Sequence, residues 1–243
     1  MFPLYDENPT VRPAVAMMVI LGLNIAAWVF VQGMGSDMPL ARSLCLYGLI
    51  PGELLGTAPL GASIELGPNL SCSLEGTSAM TLLYHMFLHG GWLHIVGNMW
   101  FLWIFGDNVE DAMGAPRFLA FYLLCGLAAA VAQIITAPGA IIPMVGASGA
   151  IGGVMGGYLR LYPRARIVTL VPVGFYAARI ALPAIAMLGY WFILQVASGL
   201  PALGATGGGV AFWAHVGGFV AGFILVGPFS RPDYLAERRR LGL

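Results

Sequence analysis

Between Arg117 and Arg160 the chain carries no charged side chain, and this uncharged run limits the fold more than any other feature of the sequence. A helix crosses a hydrocarbon core of about 30 Å with about 20 residues, so a run of this length must turn back inside itself. "TAPGAIIP", Thr136 to Pro143, supplies two prolines and a glycine at the right place for that turn. The wider composition agrees: 9% of the 243 residues are charged and 59% are hydrophobic, whereas a water-soluble domain is about a quarter charged. These features imply an all-α polytopic membrane protein.

The same ruler along the chain predicts six spans: Ala14–Val31, Trp92 to about Phe105, Arg117 to about Thr136, a fourth opening near Ser148, Ala181 to about Ser198, and about Val210 to Gly227. The expected organisation is a tail over residues 1–13, a membrane domain over 14–229 with a long loop at 32–91, and a basic tail over 230–243. No removable signal peptide is read at the N-terminus. Arg12, Arg117, Arg164, Arg166, Arg179 and the run Arg238, Arg239, Arg240 fall on one side; the long loop holds Arg42 beside Asp37, Glu53, Glu65 and Glu75. Short cytosolic loops carry the positive excess, so both termini are expected in the cytosol and the long loop outside. The expected setting is a bacterial inner membrane, with lipid all round. Net charge is zero without a lysine, so nothing suggests nucleic acid. If the outer side is oxidising, Cys45 and Cys72 in the long loop can pair. The apolar stretch Leu44–Gly56 fits either a segment lying in the interface or a packed connector.

Polar side chains at membrane depth are costly and therefore candidates for function, although serine and histidine also serve as glue between helices. At 1.5 Å per residue, Ser148 stands about 18 Å from Arg160, and His215 about 20 Å from Phe229. His94 and Asn98 stand about 20 and 14 Å from Asp107. Four polar groups from three spans thus share a depth. Two of those spans have small faces, Gly149, Gly153 and Gly157 on one and Ala214, Gly218 and Gly222 on the other, which let backbones approach.

That combination permits acyl transfer. Serine is a weak nucleophile until a base takes its proton, and His215 is positioned to be that base for Ser148. Ser148 opens its helix, so free backbone N–H groups face the place where an oxyanion would form, with His94 and Asn98 as added donors. No Asp or Glu occurs between Asp111 and Asp233, so a dyad is expected rather than a carboxylate triad. The cluster His85, His89, His94 invites a metal reading, but Gly90 and Gly91 interrupt the helix and no HExxH pattern is present. His85 and His89 are expected to bond loop backbone instead.

The motifs "GASGA" (Gly146–Ala150), "AHVGGFVAG" (Ala214–Gly222) and "HGGWLHIVGN" (His89–Asn98) together resemble the rhomboid family of intramembrane serine proteases, over most of the chain. The resemblance implies a six-helix fold and a Ser148/His215 dyad, with an oxyanion hole from His94, Asn98 and the Ser148 backbone N–H. It implies single-span membrane-protein substrates cut near their outer end after passing a mobile fifth helix, with no metal or nucleotide cofactor. A catalytically inactive relative that binds membrane proteins is the alternative. Two departures stand out: the first loop lacks a Trp-Arg pair, and Gly152 sits where some members place an aromatic that supports the histidine. Phe212 and Trp213 are then the candidates to orient His215.

Overall fold

The computed structural model describes residues 1–59, 61, 63–67, 70–74, 76–174, 176–204 and 209–242; Glu75 of the acidic loop and Leu243 of the basic tail lie outside them. In chain order the elements are β1 (Phe2–Asp6), α1 (Val15–Ala26), α2 (Asp37–Tyr47), α3 (Pro51–Leu54), β2 (Ser63–Gly67), β3 (Leu70–Ser73), α4 (Thr81–Tyr84), α5 (Trp92–Met113), α6 (Ala115–Thr136), α7 (Ser148–Leu161), β4 (Arg166–Val173), β5 (Tyr176–Pro183), α8 (Ala184–Gly199), α9 (Phe212–Phe229) and α10 (Pro232–Arg240). The chain is mostly helical. Among the described residues three helices, α6, α8 with its trailing turn, and α9, are long and apolar enough to cross a membrane; the apolar Val15–Val31 segment is shorter.

The all-α expectation needs correction. β1, β4 and β5 form an antiparallel sheet in the order β1-β4-β5, so the first residues are not a plain tail and the arginine-bearing loop is a hairpin. "RIVTLVPV" is rich in β-branched residues, which favour a pleated strand. A ruler for spans passes over such a stretch because it is too short to cross. It also explains why α8 begins at Ala184 rather than Ala181: the intervening residues finish β5.

The long loop is a small folded unit. Cys45 of α2 and Cys72 of β3 are joined by a disulfide, and Ile50, Ile64, Cys72 and Leu74 form a core of their own. Its inner edge holds the segment that precedes α7. Leu49 and Met144 exchange both backbone hydrogen bonds, at 2.9 and 2.8 Å, and the Gly52 N–H donates to Ala140 O at 2.8 Å. Beside it, α1 ends in a widened π turn over Ala27–Val31, delivering a buried Gln32. That side chain donates to His89 O at 2.7 Å and accepts from the His89 N–H at 2.8 Å.

At the opposite end the carboxylates of α5 do structural work. Glu110 accepts from the Ala16 and Met17 N–H groups, satisfying the start of α1. Asp111, buried, accepts from the Val11 and Arg12 N–H groups and pairs with both Arg12 and the buried Arg238 of α10. Both ends of the chain are thereby tied to one helix end. The main core between these two regions is apolar, with Ile20, Phe105, Phe118, Phe121, Tyr122 and Tyr158 fully enclosed.

Candidate active site

Ser148 is the first residue of α7, reached through Gly146 at φ 132°, a conformation that favours glycine. A Cβ there would also stand 2.7 Å from His94 Nε2, so the loop passes closer to that ring than a side chain allows. The Gly146 N–H donates to His85 O at 2.9 Å, fixing the loop's path. No side chain caps α7, which leaves its first N–H groups facing outward with the positive end of the helix dipole.

Ser148 Oγ lies 2.8 Å from His215 Nε2. The approach is made by glycine: a Cβ on Gly218 or Gly222 of α9 would run into the Gly149 or Gly153 carbonyl of α7. Gly152 faces the His215 carbonyl and Gly156 the Phe219 backbone, so these two share the seam with Gly149 and Gly153. Gly157 meets side chains instead, those of Phe121 and Val226, and Ala214 is buried near Gly149. A Cβ at position 152 would stand 3.0 Å from the His215 carbonyl oxygen, a tight fit at the seam.

His94 and Asn98, successive turns of α5, line the same cavity of about 660 Å³ as Ser148 and His215. The Gly90 N–H donates to His94 Nδ1 at 3.2 Å, so the ring proton belongs on Nε2, the nitrogen beside the Ser148 loop. Asn98 is 7% exposed and its Nδ2 has no partner among the described residues. Among the described residues these two side-chain donors meet no acceptor, and they line the cavity into which the start of α7 also opens at Ser148. His85 behaves as expected of a packing residue, its Nδ1 bonded to Thr81 O at 2.9 Å, and burial pushes it down to about 4. His89 does not: among the described residues neither ring nitrogen is bonded, the backbone is held by Gln32, and the ring packs edge-on against His94 at 5.2 Å. Burial pushes that ring down to about 3, which keeps it neutral and spares it the need for a counter-charge.

The group that meets His215 on its other side is one the sequence reading passed over. Gln195 Oε1 of α8 lies 2.8 Å from His215 Nδ1, and Trp191 packs near the imidazole, centroids 5.9 Å apart. Neither Phe212 nor Trp213 does this; the Trp213 indole N–H donates to Gly199 O at 2.9 Å, and Phe212 lines the cavity. Gln195 had a signal, since it is a lone amide in an apolar run.

Apolar helices enclosing a polar cavity, with a serine at a helix start and a histidine on its neighbour, describe an integral membrane protein built around a buried site. The model of the Rhomboid domain matches residues 76–232, and the chain belongs to the rhomboid family. It is 31% identical to the rhomboid protease GluP of Bacillus subtilis over 66% of this chain and 28% of that protein. It is 27% identical to the mitochondrial Rhomboid protein 1 of Saccharomyces cerevisiae over 68% and 46%, and 32% identical to the mitochondrial presenilin-associated rhomboid-like protein A of Danio rerio over 46% and 30%. The matched region spans less than half the length of these relatives. Because mitochondrial proteins stand among them, the similarity supports an integral membrane protein without favouring a bacterial inner membrane.

Proposed function

We propose that the chain is an intramembrane serine protease that cuts single-span membrane proteins at the Ser148/His215 pair. The observation that carries this reading is the 2.8 Å contact between Ser148 Oγ and His215 Nε2 inside a cavity where Asn98 Nδ2 meets no acceptor among the described residues. His215 takes the hydroxyl proton as Ser148 Oγ attacks the scissile carbonyl carbon. The carbonyl oxygen, now negative, is met by the Ser148 backbone N–H, Asn98 Nδ2 and His94 Nε2–H. The imidazolium then protonates the leaving amine, and a water, deprotonated by His215, releases the acyl group and restores the serine.

In this reading α1, α5, α6, α7, α8 and α9 are the six spans. The arginine-bearing end carrying β1, β4, β5 and α10 lies on the cytosolic side. The disulfide-bearing loop then faces an oxidising outer side, which the Cys45–Cys72 bond supports. Substrate is a helix that must unwind locally to reach Ser148, since a helical peptide bond shields its carbonyl.

Reconstituted in liposomes with a tagged single-span substrate, the protein is expected to cut, and Ser148→Ala and His215→Ala each to lose on the order of 10⁴-fold or more in kcat. A Ser148→Ala variant that cuts as fast as the parent defeats the proposal.

A further inference from the structure

We infer that Gln195 is a positioning residue that selects the tautomer of His215 and so makes α8 part of the working site; this rests on the dyad reading above. The lack of any carboxylate between Asp111 and Asp233 leaves His215 without the usual anionic partner. A neutral imidazole has one N–H, and only the form with that proton on Nδ1 leaves Nε2 free to accept from Ser148. In the geometry here the atom facing Nδ1 is an amide oxygen, Gln195 Oε1 at 2.8 Å, which accepts and cannot donate. The proton between them belongs to Nδ1. The nitrogen 2.8 Å from Ser148 Oγ is then the basic one.

The pattern of α8 shows that this contact is built into the helix. Trp191, Phe192, Gln195 and Val196 are partly buried and Gly199 is buried, while Ile193, Leu194, Ala197 and Ser198 are exposed. One face therefore turns inward at helical spacing, and Gln195 is its single amide. An amide on such a face is costly unless bonded, and His215 supplies the bond. One turn before it, Trp191 lies between His215 and Phe219, with centroids 5.9 and 6.0 Å away, and Phe192 stacks on Phe219 at 4.7 Å. One turn after it, Gly199 O takes the Trp213 indole N–H, and a Cβ at Gly199 would stand 3.2 Å from both Phe212 and Trp213. The Gln195 turn is thus gripped by α9 on both sides. Across the ring Gly152 offers no side chain, and among the described residues α8 brings both Trp191 towards the ring and Gln195 to its Nδ1 edge.

The consequence is that α8 and the dyad are coupled. Any displacement of α8 from α9 removes Trp191 and Gln195 together and frees the ring to take either tautomer. The amide differs from a carboxylate in one respect: it sets the proton's place without adding a negative charge.

The test uses the full-length protein in detergent or liposomes, labelled with ¹⁵N-histidine, with the His215 signals assigned by comparison with His215→Ala. The parent is expected to show His215 protonated at Nδ1, and Gln195→Leu and Gln195→Met to show a mixture or the Nε2 form. On substrate, both are expected to lower kcat roughly 10- to 100-fold, a fraction of the 10²–10⁴-fold that a positioned base contributes, with KM unchanged. Gln195→Glu, which keeps an acceptor oxygen, is expected to restore most of the rate. A parent protonated at Nε2, or Leu and Met variants that keep both the Nδ1 form and the parent kcat, overturns the inference. An equal rise in KM with kcat intact also overturns it, by showing a packing role. The tautomer is read without substrate, so a parent that cuts nothing defeats the protease reading while this assignment is still decided by the resonance.

Discussion

The molecule has two polar centres at opposite ends of its apolar core, and they are built on opposite rules. Around Asp111 and Glu110 every group is charged or bonded to charge: backbone N–H groups, Arg12 and Arg238 converge on two carboxylates. Around Ser148 the groups are neutral, linked in a single file from Gln195 through His215 to the serine, with Asn98 Nδ2 left open. A buried ion pair is rigid because breaking it strands a charge. Neutral hydrogen bonds are individually weaker, and a donor without an acceptor is costly to fold but available to an incoming oxyanion. One centre holds the fold and the other keeps capacity in reserve.

Substitutions at the two ends should separate these roles. Asp111→Ala is expected to have the largest effect, a loss of about 3–5 kcal/mol, because Arg238, 2% exposed, is left buried without its partner. Thermal denaturation in detergent measures it, and the activity per folded molecule should be retained. Asn98→Ala is expected to do the reverse, lowering kcat by about 10²–10³-fold, or about 3–4 kcal/mol of barrier, with little change in melting temperature. An Asn98 variant that melts much earlier at parental kcat would erase the distinction between the two centres. The smallest effect concerns Asp6, which accepts from the Tyr158 hydroxyl at 2.6 Å. Burial pushes its carboxyl up to about 6 from 3.8, so the folded state holds the proton more tightly than the unfolded one. Stability from this group is full below about pH 4 and is lost as pH rises towards about 6. Asp6→Asn should flatten that slope and raise stability at pH 7 by about 1 kcal/mol or less, read from melting curves across the window.

Much of the helical frame was legible because an uncharged run between Arg117 and Arg160 leaves few options, and "TAPGAIIP" marks where it breaks. Depth arithmetic also brought Ser148, His215, His94 and Asn98 to one level, and these four line one cavity. The sheet was missed for a physical reason: β4 pairs with β1, more than 150 residues earlier in the chain, and neither strand has a period that a span ruler detects. Gln195 was missed for a different one. The rule that intramembrane polar groups are suspect is satisfied by Ser148, His215, His94 and Asn98, which sit in recognisable motifs, whereas Gln195 stands alone in an apolar run with no motif around it. His89 was misjudged because residue type suggested that its ring would bond the backbone, when Gln32 holds its backbone and the ring packs against His94 with no hydrogen bond among the described residues.

The exchange of hydrogen bonds between Leu49 and Met144 carries a last implication. The segment bearing the serine has no regular structure of its own before Ser148; its shape is lent by the disulfide-closed unit on one side and by His85 O on the other. The place of Ser148 is therefore set by residues far earlier in the chain, Leu49 and His85, and not by its own segment alone.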